Sequence, residues 1–246
     1  MSAVPLPPPP PLRDLLEQGP LALFLDFDGT LVDLAAAPAA IHVPPRLAEG
    51  LAGLAARLGG RLAVVSGRSI ENLEVHCGTL AIDCAGSHGG ERRRADGRPF
   101  GNPPTPLPRE VHEAVGRFAH DNAVAYEPKP HGAALHSRSA PETEERCALF
   151  MSDLADAHGL VLKRGKYVAE LVRPGADKGA AVRAFMCEDP FAGAQPVFLG
   201  DDVTDEDGFA AASELGGFGI AVGERPTGSA RYGLAGPAEV KQWLGL

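Results

Sequence analysis

LALFLDFDGTLVD, residues 21–33, is the stretch that decides the fold of this 246-residue chain. Its first five residues, 21–25, are all apolar, which predicts a strand buried on both faces of a sheet. Asp26 and Asp28 follow two residues apart, so both side chains project from the same side of the strand end. Buried carboxylates are costly unless a metal, a ligand or water meets them. The stretch therefore predicts a functional site, although D-x-D-G alone also suits a plain strand end at which Gly29 turns the backbone.

A second acidic cluster lies far downstream, in PVFLGDDVTDEDGF, residues 196–209. Its apolar start predicts another short buried strand, followed by Asp201, Asp202 and Asp205. Oxygen ligands gathered at two strand ends are what Mg²⁺ prefers. Helix N-capping is the structural alternative, since acids are common in a first helical turn. Capping accounts for Asp205 but not for the whole set, so the two clusters together favour a magnesium site.

Apolar runs alternate with helical patterns over the first third of the chain. Strands are predicted at 61–65 and 80–84, with a helix between 44 and 58 whose leucines share one face. This alternation predicts an α/β fold, with a parallel sheet covered by helices on both faces and a site at the carboxyl ends of the strands.

The alternation stops after Glu91, where a polar, turn-rich segment begins. Residues 92–172 read as two helices with several short strands, which predicts a small α+β unit. The strand and helix alternation then resumes. We therefore expect a core made of residues 1–91 and 173–246, with residues 92–172 as an insertion.

Composition narrows the function classes. A net charge of −9 lacks the excess of basic residues that is typical of nucleic-acid-binding proteins, so we expect no nucleic-acid partner. The first residues lack a secretory leader and no apolar run could span a bilayer, so we expect a cytoplasmic protein without a membrane partner. The proline tract Pro7–Pro11 is expected to be a stiff, poorly packed lead-in. Scattered cysteines without C-x-x-C spacing predict free thiols rather than disulfides or a zinc site: Cys77, Cys84, Cys147 and Cys187.

Four motifs along the chain resemble, in order, those of the haloacid dehalogenase-like phosphatases. They are DFDGTLVD from Asp26, SGR at 66–68, Lys178-Gly179, and GDDVTDED from Gly200. The sequence in and around these motifs is similar to that of trehalose-6-phosphate phosphatases. The resemblance implies a Rossmann-like, doubly wound parallel sheet core with an inserted α+β cap domain.

The resemblance also implies catalytic roles. Asp26 would be the nucleophile that forms an aspartyl-phosphate, and Asp28 the general acid and then the base that activates water. Ser66 would hold phosphoryl oxygens, and Lys178 would pair with phosphate and the aspartates. The implied cofactor is Mg²⁺, bound by Asp26, the backbone carbonyl of Asp28, and Asp201.

Positions that contact sugar in trehalose-phosphate phosphatases correspond to five residues here. Each has a structural alternative. Arg68 could form an ion pair with a surface acid, His88 could be a loop histidine whose hydrogen bonds are all made within the protein, and Glu170 could be an exposed acid on a strand. The five are Arg68, His88, Glu91, Lys129 and Glu170.

The implied function is Mg²⁺-dependent hydrolysis of trehalose 6-phosphate to trehalose and phosphate, with trehalose-phosphate synthase as the expected protein partner. Three alternatives stay open. One is a phosphatase for another sugar phosphate. Another is a phospho-acceptor signalling domain, against which stand Asp28 and the large insertion. The third is a non-catalytic sugar-phosphate sensor, which would not need Asp28.

Overall fold

The computed structural model describes residues 6–35, 40–101, 105–129, 131–165 and 167–246. The chain divides into two compact units, a larger one of residues 1–101 and 177–246 and a smaller one of residues 102–176. The first boundary lies later than the one expected after Glu91. The reason is that Glu91–Arg93 forms a strand that pairs with Asp83–Gly86 in the sheet of the larger unit.

Both units consist of helices and strands whose bounds follow in chain order. The strands are β1 (Leu21–Leu25), β2 (Leu62–Val65), β3 (Asp83–Gly86), β4 (Glu91–Arg93), β5 (Ala125–Lys129), β6 (Gly132–His136), β7 (Val161–Gly165), β8 (Val168–Val172), β9 (Gln195–Gly200), β10 (Phe218–Val222) and β11 (Ala230–Leu234). The helices are α1 (Leu12–Gln18), α2 (Leu47–Arg57), α3 (Ile70–Cys77), α4 (Arg109–Asn122), α5 (Glu144–His158), α6 (Lys178–Met186), α7 (Glu206–Glu214) and α8 (Pro237–Leu244).

The described part of the larger unit contains one sheet, in the order β11-β10-β9-β1-β2-β3-β4. All neighbours are parallel except β3 and β4. Residues of β1 alternate between two apolar clusters, Leu23 and Leu25 on one face and Ala22 and Phe24 on the other. Helices cover both faces, because leucines of α2 join the first cluster and Phe185 of α6 joins the second. The predicted doubly wound α/β fold is confirmed.

The central position of β1 brings the polar motifs to one edge. β1 is flanked by β2 and β9, both parallel to it, so the carboxyl ends of the three strands are adjacent. The residues that follow these ends are Asp26, Ser66 and Asp201. The Asp26 backbone N–H donates to the Leu199 carbonyl at 2.9 Å, which ties the first acidic turn to the last. The predicted edge of the sheet is therefore the place where the motifs meet.

The smaller unit is an antiparallel sheet in the order β5-β6-β8-β7, packed on one face against α4 and α5. Strand alternation sends Leu135 and Leu171 to this packed face. Lys129 and Glu170 are on the opposite face, in the register set by β6 between β5 and β8. The predicted α+β insertion is therefore a sheet with one apolar and one polar face.

The proline tract is packed against the larger unit, so the expectation of a poorly packed lead-in is wrong. Pro9 is buried, and the Pro7 carbonyl accepts from the Gly233 backbone N–H at 3.0 Å. The indole Nε1 of Trp243 donates to the Pro10 carbonyl at 2.8 Å. Prolines have no N–H to donate, but an extended tract leaves its carbonyls open to such donors.

Replacing Trp243 by Phe tests whether this contact stabilises the fold. A smaller aromatic ring replaces the indole and the hydrogen bond to Pro10 is lost, so the free energy of unfolding should fall by at least about 0.5–1.5 kcal/mol. Urea unfolding followed by circular dichroism measures the change. Trp243→Ala should lose more, because the half-buried ring packs against the apolar core. An unchanged unfolding midpoint for Trp243→Phe would contradict the docked arrangement.

Candidate active site

Three carboxylates converge at the carboxyl edge of the larger sheet. One oxygen each of Asp26, Asp201 and Asp205 lies within 4.8 Å of the other two. Asp26 directly follows β1, Asp201 directly follows β9, and Asp205 is the last residue of the short 3-10 turn after β9. Gly29, at φ +81°, makes room for the group, since a methyl group there would overlap the Asp201 carboxylate. The two acidic motifs thus form one cluster.

Lys178 balances part of this charge. It is the first residue of α6, whose N-cap Asp177 accepts from the Ala180 backbone N–H. Its Nζ donates to Asp26 Oδ1 and to Asp205 Oδ1, each at 2.6 Å, and the side chain is 3% exposed. Burial opposes its charge, but the two carboxylates outweigh burial and hold the pKa of Lys178 above its usual value. The lysine is therefore charged and fixed between two acids.

The carboxylates of the cluster outnumber its one ammonium group. Burial raises the pKa of Asp26 well above its usual value, against the opposing charge of Lys178. Burial and the charge of Asp205 raise the pKa of Asp201 to about 7. One ammonium faces three carboxylates, so a divalent cation with a preference for oxygen ligands fits the donor set.

Asp205 serves its neighbours through both carboxylate oxygens. Oδ1 accepts from Lys178, and Oδ2 accepts from the Asp202 backbone N–H at 2.8 Å. The Asp202 side chain reciprocates in a capping box at the start of the same turn. The capping alternative is thus realised through Asp205 Oδ2, while Oδ1 remains in the acidic cluster as an acceptor from Lys178.

Asp28 points to a different partner. Arg68 donates to it in a two-pronged ion pair, Nε to Oδ2 at 2.6 Å and Nη2 to Oδ1 at 2.7 Å. The remaining prong, Nη1, donates to Asn72 Oδ1 at 2.8 Å on the first turn of α3. The structure therefore joins a predicted acid–base residue to a predicted sugar contact. Asn72 has no motif that would have identified it.

Ser66 and His88 lie on adjoining loops. Ser66 is buried at the end of β2, and its Oγ accepts from the Arg68 backbone N–H at 3.1 Å. The His88 backbone N–H donates to the Ser66 carbonyl at 2.9 Å. Ser87 and His88 have φ values of 50° and 57°, unusual for residues with a side chain. Such strained backbone is typical of functional loops.

Glu91 braces this loop. Its Oε1 accepts from the Ile70 backbone N–H at 2.8 Å and from Ser87 Oγ at 3.2 Å. The carboxylate therefore links the start of α3 to the strained loop. Its predicted contact with sugar stays a prediction.

The polar face of the smaller unit holds the other two predicted residues. Lys129 Nζ lies 2.9 Å from Glu170 Oε1, and both side chains are buried. On the same face, His136 Nε2 lies 2.9 Å from Glu127 Oε2. Burial opposes the charge of Glu127, but His136 and Lys129 lower its pKa. Glu127 was not among the residues predicted from the sequence, although its place two residues before Lys129 sets both on one face.

Comparison with known proteins places this site in a family. Residues 24–235 match the sequence profile of the family described as trehalose-phosphatase. The chain belongs to the trehalose-phosphatase family. A trehalose-6-phosphate phosphatase of Escherichia coli (strain K12) is 36% identical over 229 residues, covering 91% of this chain and 85% of that protein. A probable trehalose-phosphate phosphatase of Sinorhizobium fredii is 38% identical over 221 residues, covering 89% and 83%.

The crystal structure of a trehalose-6-phosphate phosphatase related protein has the same fold. The two structures superpose with a TM-score of 0.72 at 25% sequence identity. The match covers 92% of the present chain and 95% of the chain of the related protein. The predicted enzyme class, a phosphoric monoester hydrolase, is confirmed by the family. Among the described residues, none of the helices is both long and apolar enough to cross a membrane.

The raised pKa of Asp201 predicts how the protein without metal responds to pH. Between pH 3.8 and about pH 7, Asp201 keeps a proton in the folded protein that it has lost in the unfolded chain. The contribution of this residue to stability therefore falls as pH rises through that range. The Asn side chain in Asp201→Asn cannot lose a proton. With chelator present, the melting temperature of this variant should therefore rise relative to that of wild type as the pH increases from 5 to 8. Parallel melting profiles for the two proteins would contradict the shifted pKa.

Proposed function

We propose that this protein hydrolyses trehalose 6-phosphate to trehalose and phosphate through an aspartyl-phosphate on Asp26, with Mg²⁺ as cofactor. The observation that carries the proposal is the buried Asp26–Lys178–Asp205 ion-pair group beside Asp201, at the sheet edge of a trehalose-phosphatase family member. A buried carboxylate with an ammonium at 2.6 Å has the charge balance that attack on a phosphate requires.

Mg²⁺ would be held by the carboxylates of Asp26 and Asp201 and by the backbone carbonyl of Asp28. When bound, it neutralises charge on the phosphoryl oxygens and the attacking carboxylate. Asp205 has both oxygens engaged by Lys178 and Asp202, so its part is to keep these neighbours in place.

The chain's own residues account for the two bond exchanges. A carboxylate oxygen of Asp26 forms a bond to phosphorus as the bond from phosphorus to the sugar oxygen breaks, and Asp28 gives that oxygen its proton. Asp28 then takes a proton from water, whose oxygen displaces Asp26 and releases phosphate. Since Arg68 holds both oxygens of Asp28 here, we propose that Arg68 turns to the substrate when Asp28 acts as the acid.

The polar face of the smaller unit is proposed to bind the sugar. Trehalose offers many hydroxyl groups and no charge, so polar side chains with fixed geometry would bind it, and charged ones form the stronger hydrogen bonds. Lys129 and Glu170 form such a pair, and Glu127 beside His136 adds a third charged group on this face. His88, on the loop after β3, and Glu91, the first residue of β4, stay predicted contacts.

Phosphate release from three sugar phosphates tests the proposal. Trehalose 6-phosphate, glucose 6-phosphate and sucrose 6-phosphate are compared with Mg²⁺ and with chelator. Metal-dependent preference for the trehalose ester is the expected result. Preference for another sugar would retain the chemistry and overturn the substrate, and no release from any ester would favour a sensor or phospho-acceptor. The synthase partner and a cytoplasmic location stay predictions.

Asp28→Asn tests the acid–base role. The amide cannot donate or accept the proton, so kcat should fall by about 10²–10⁴ while Mg²⁺ binding is retained. Phosphate release measures the first effect and calorimetry with Mg²⁺ the second. Asp33→Asn is the matched control, because Asp33 is an exposed acid of the same motif and should tolerate the change. Full activity of Asp28→Asn would remove it from the mechanism.

Lys129→Gln tests recognition of the sugar. Loss of a charged hydrogen bond of about 1.5–3 kcal/mol corresponds to a fall of about 10–100-fold in kcat/KM for trehalose 6-phosphate. Activity on p-nitrophenyl phosphate, which lacks the sugar, should be retained. Arg164→Ala is the control, since Arg164 belongs to the same unit and forms an exposed pair with Glu145. Equal losses on both substrates would place Lys129 outside sugar recognition.

A further inference from the structure

Arg225 reaches the acidic loop from a segment that the proposed chemistry does not use. It lies between β10 and β11, and its guanidinium donates to two consecutive backbone carbonyls after β9. Nε bonds the Asp201 carbonyl at 3.1 Å, and Nη2 bonds the Asp202 carbonyl at 3.1 Å. The main chain on which the cation ligand Asp201 sits is therefore held by a side chain from outside both acidic motifs.

The guanidinium is itself anchored. Nη2 also donates to Glu206 Oε1 at 2.6 Å, and Nη1 donates to the Pro226 carbonyl at 2.7 Å. The other oxygen of Glu206 accepts from the Ser229 backbone N–H at 3.1 Å. Arg225 is 27% exposed, which is low for an arginine on a connecting loop. Its planar fork is thus fixed between the acidic loop, the first turn of α7 and its own loop.

Asp201 needs such support because its neighbours repel it. One carboxylate oxygen of Asp201 lies within 4.8 Å of oxygens of Asp26 and Asp205, and ionised carboxylates at that distance repel one another. A side chain repelled from the cluster would draw its main chain outward unless the carbonyls are tied down. The bonds from Arg225 tie down that main chain and the next residue's.

We propose that Arg225 is a positioning residue for the cation site, holding the backbone of Asp201 and Asp202 so that the Asp201 carboxylate stays within reach of the ion. The inference rests on the proposed Mg²⁺ site. Partners that orient metal ligands from outside typically change metal affinity by about 10–100-fold when they are removed.

Charge and positioning predict opposite results for Arg225. Removing a positive charge near the cluster would strengthen cation binding if only the electrostatic attraction mattered. Removing the clamp should weaken binding, because Asp201 is released. Replacing Arg225 by lysine separates the effect of charge from the effect of positioning. The ammonium group keeps the positive charge but cannot bond two carbonyls and Glu206 at once, as the planar guanidinium does.

Calorimetric titration of the full chain with Mg²⁺, without substrate, is the test. We expect the Mg²⁺ Kd to rise by about 10-fold or more in Arg225→Gln and in Arg225→Lys. Arg183→Ala is the matched control, because it removes an arginine–glutamate pair at 2.7 Å on the surface of the same unit without touching the acidic loop. Its Kd should equal that of wild type. Melting temperatures show that each variant is folded, and Glu206→Gln, which loosens the clamp indirectly, carries the test if neither Arg225 variant folds.

The outcomes separate this inference from the proposed function. Unchanged or tighter Mg²⁺ binding in Arg225→Gln, or full affinity in Arg225→Lys, overturns the positioning role while wild-type turnover of trehalose 6-phosphate leaves the proposed function intact. Wild-type protein that hydrolyses the ester without binding Mg²⁺ overturns the proposed cation site and the positioning role together. A melting temperature lowered with an unchanged Kd would make Arg225 a purely structural residue.

Discussion

The buried contact of Lys178 with Asp26 and Asp205 is the interaction on which the site depends. Each of the three side chains would be costly in the apolar interior without the other two, and removing one partner of a buried ion pair typically destabilises by about 3–5 kcal/mol. The contact also links three elements that are distant in sequence, the ends of β1 and β9 and the start of α6. The same contact therefore stabilises the sheet edge and holds the site together.

Parallel strand order makes this convergence possible. With β1 between β2 and β9, three carboxyl ends are neighbours, and each contributes a polar residue at the point where its apolar run stops. The strands can be almost wholly apolar because helices cover both faces. The polar side chains of the three motifs are thereby gathered at one edge of the sheet, where the strands end and their backbone groups no longer pair with a neighbouring strand.

Features carried within one local stretch, and the meeting of stretches that carry a motif, could be predicted from the sequence; contacts between distant residues that no motif marks could not. The apolar run before Asp26 predicts both a buried strand and an acidic turn at its end. Arg225 and Asn72 carry no such signal, because their partners are set by loops that meet only after folding. Strand β3 begins later than the apolar run at Leu80 indicates, since Leu80 is buried before the ladder starts. Side-chain burial and backbone pairing are separate events that hydropathy does not distinguish.

The docked proline tract has a consequence for optical experiments. Trp243 is the single tryptophan of the chain, and its indole is hydrogen-bonded to Pro10. Tryptophan emission therefore originates where the tract meets α8 and is sensitive to whether the tract is bound there. The single tryptophan therefore lies at the contact between the N-terminal segment and α8, and its emission is a natural probe of whether that segment is attached.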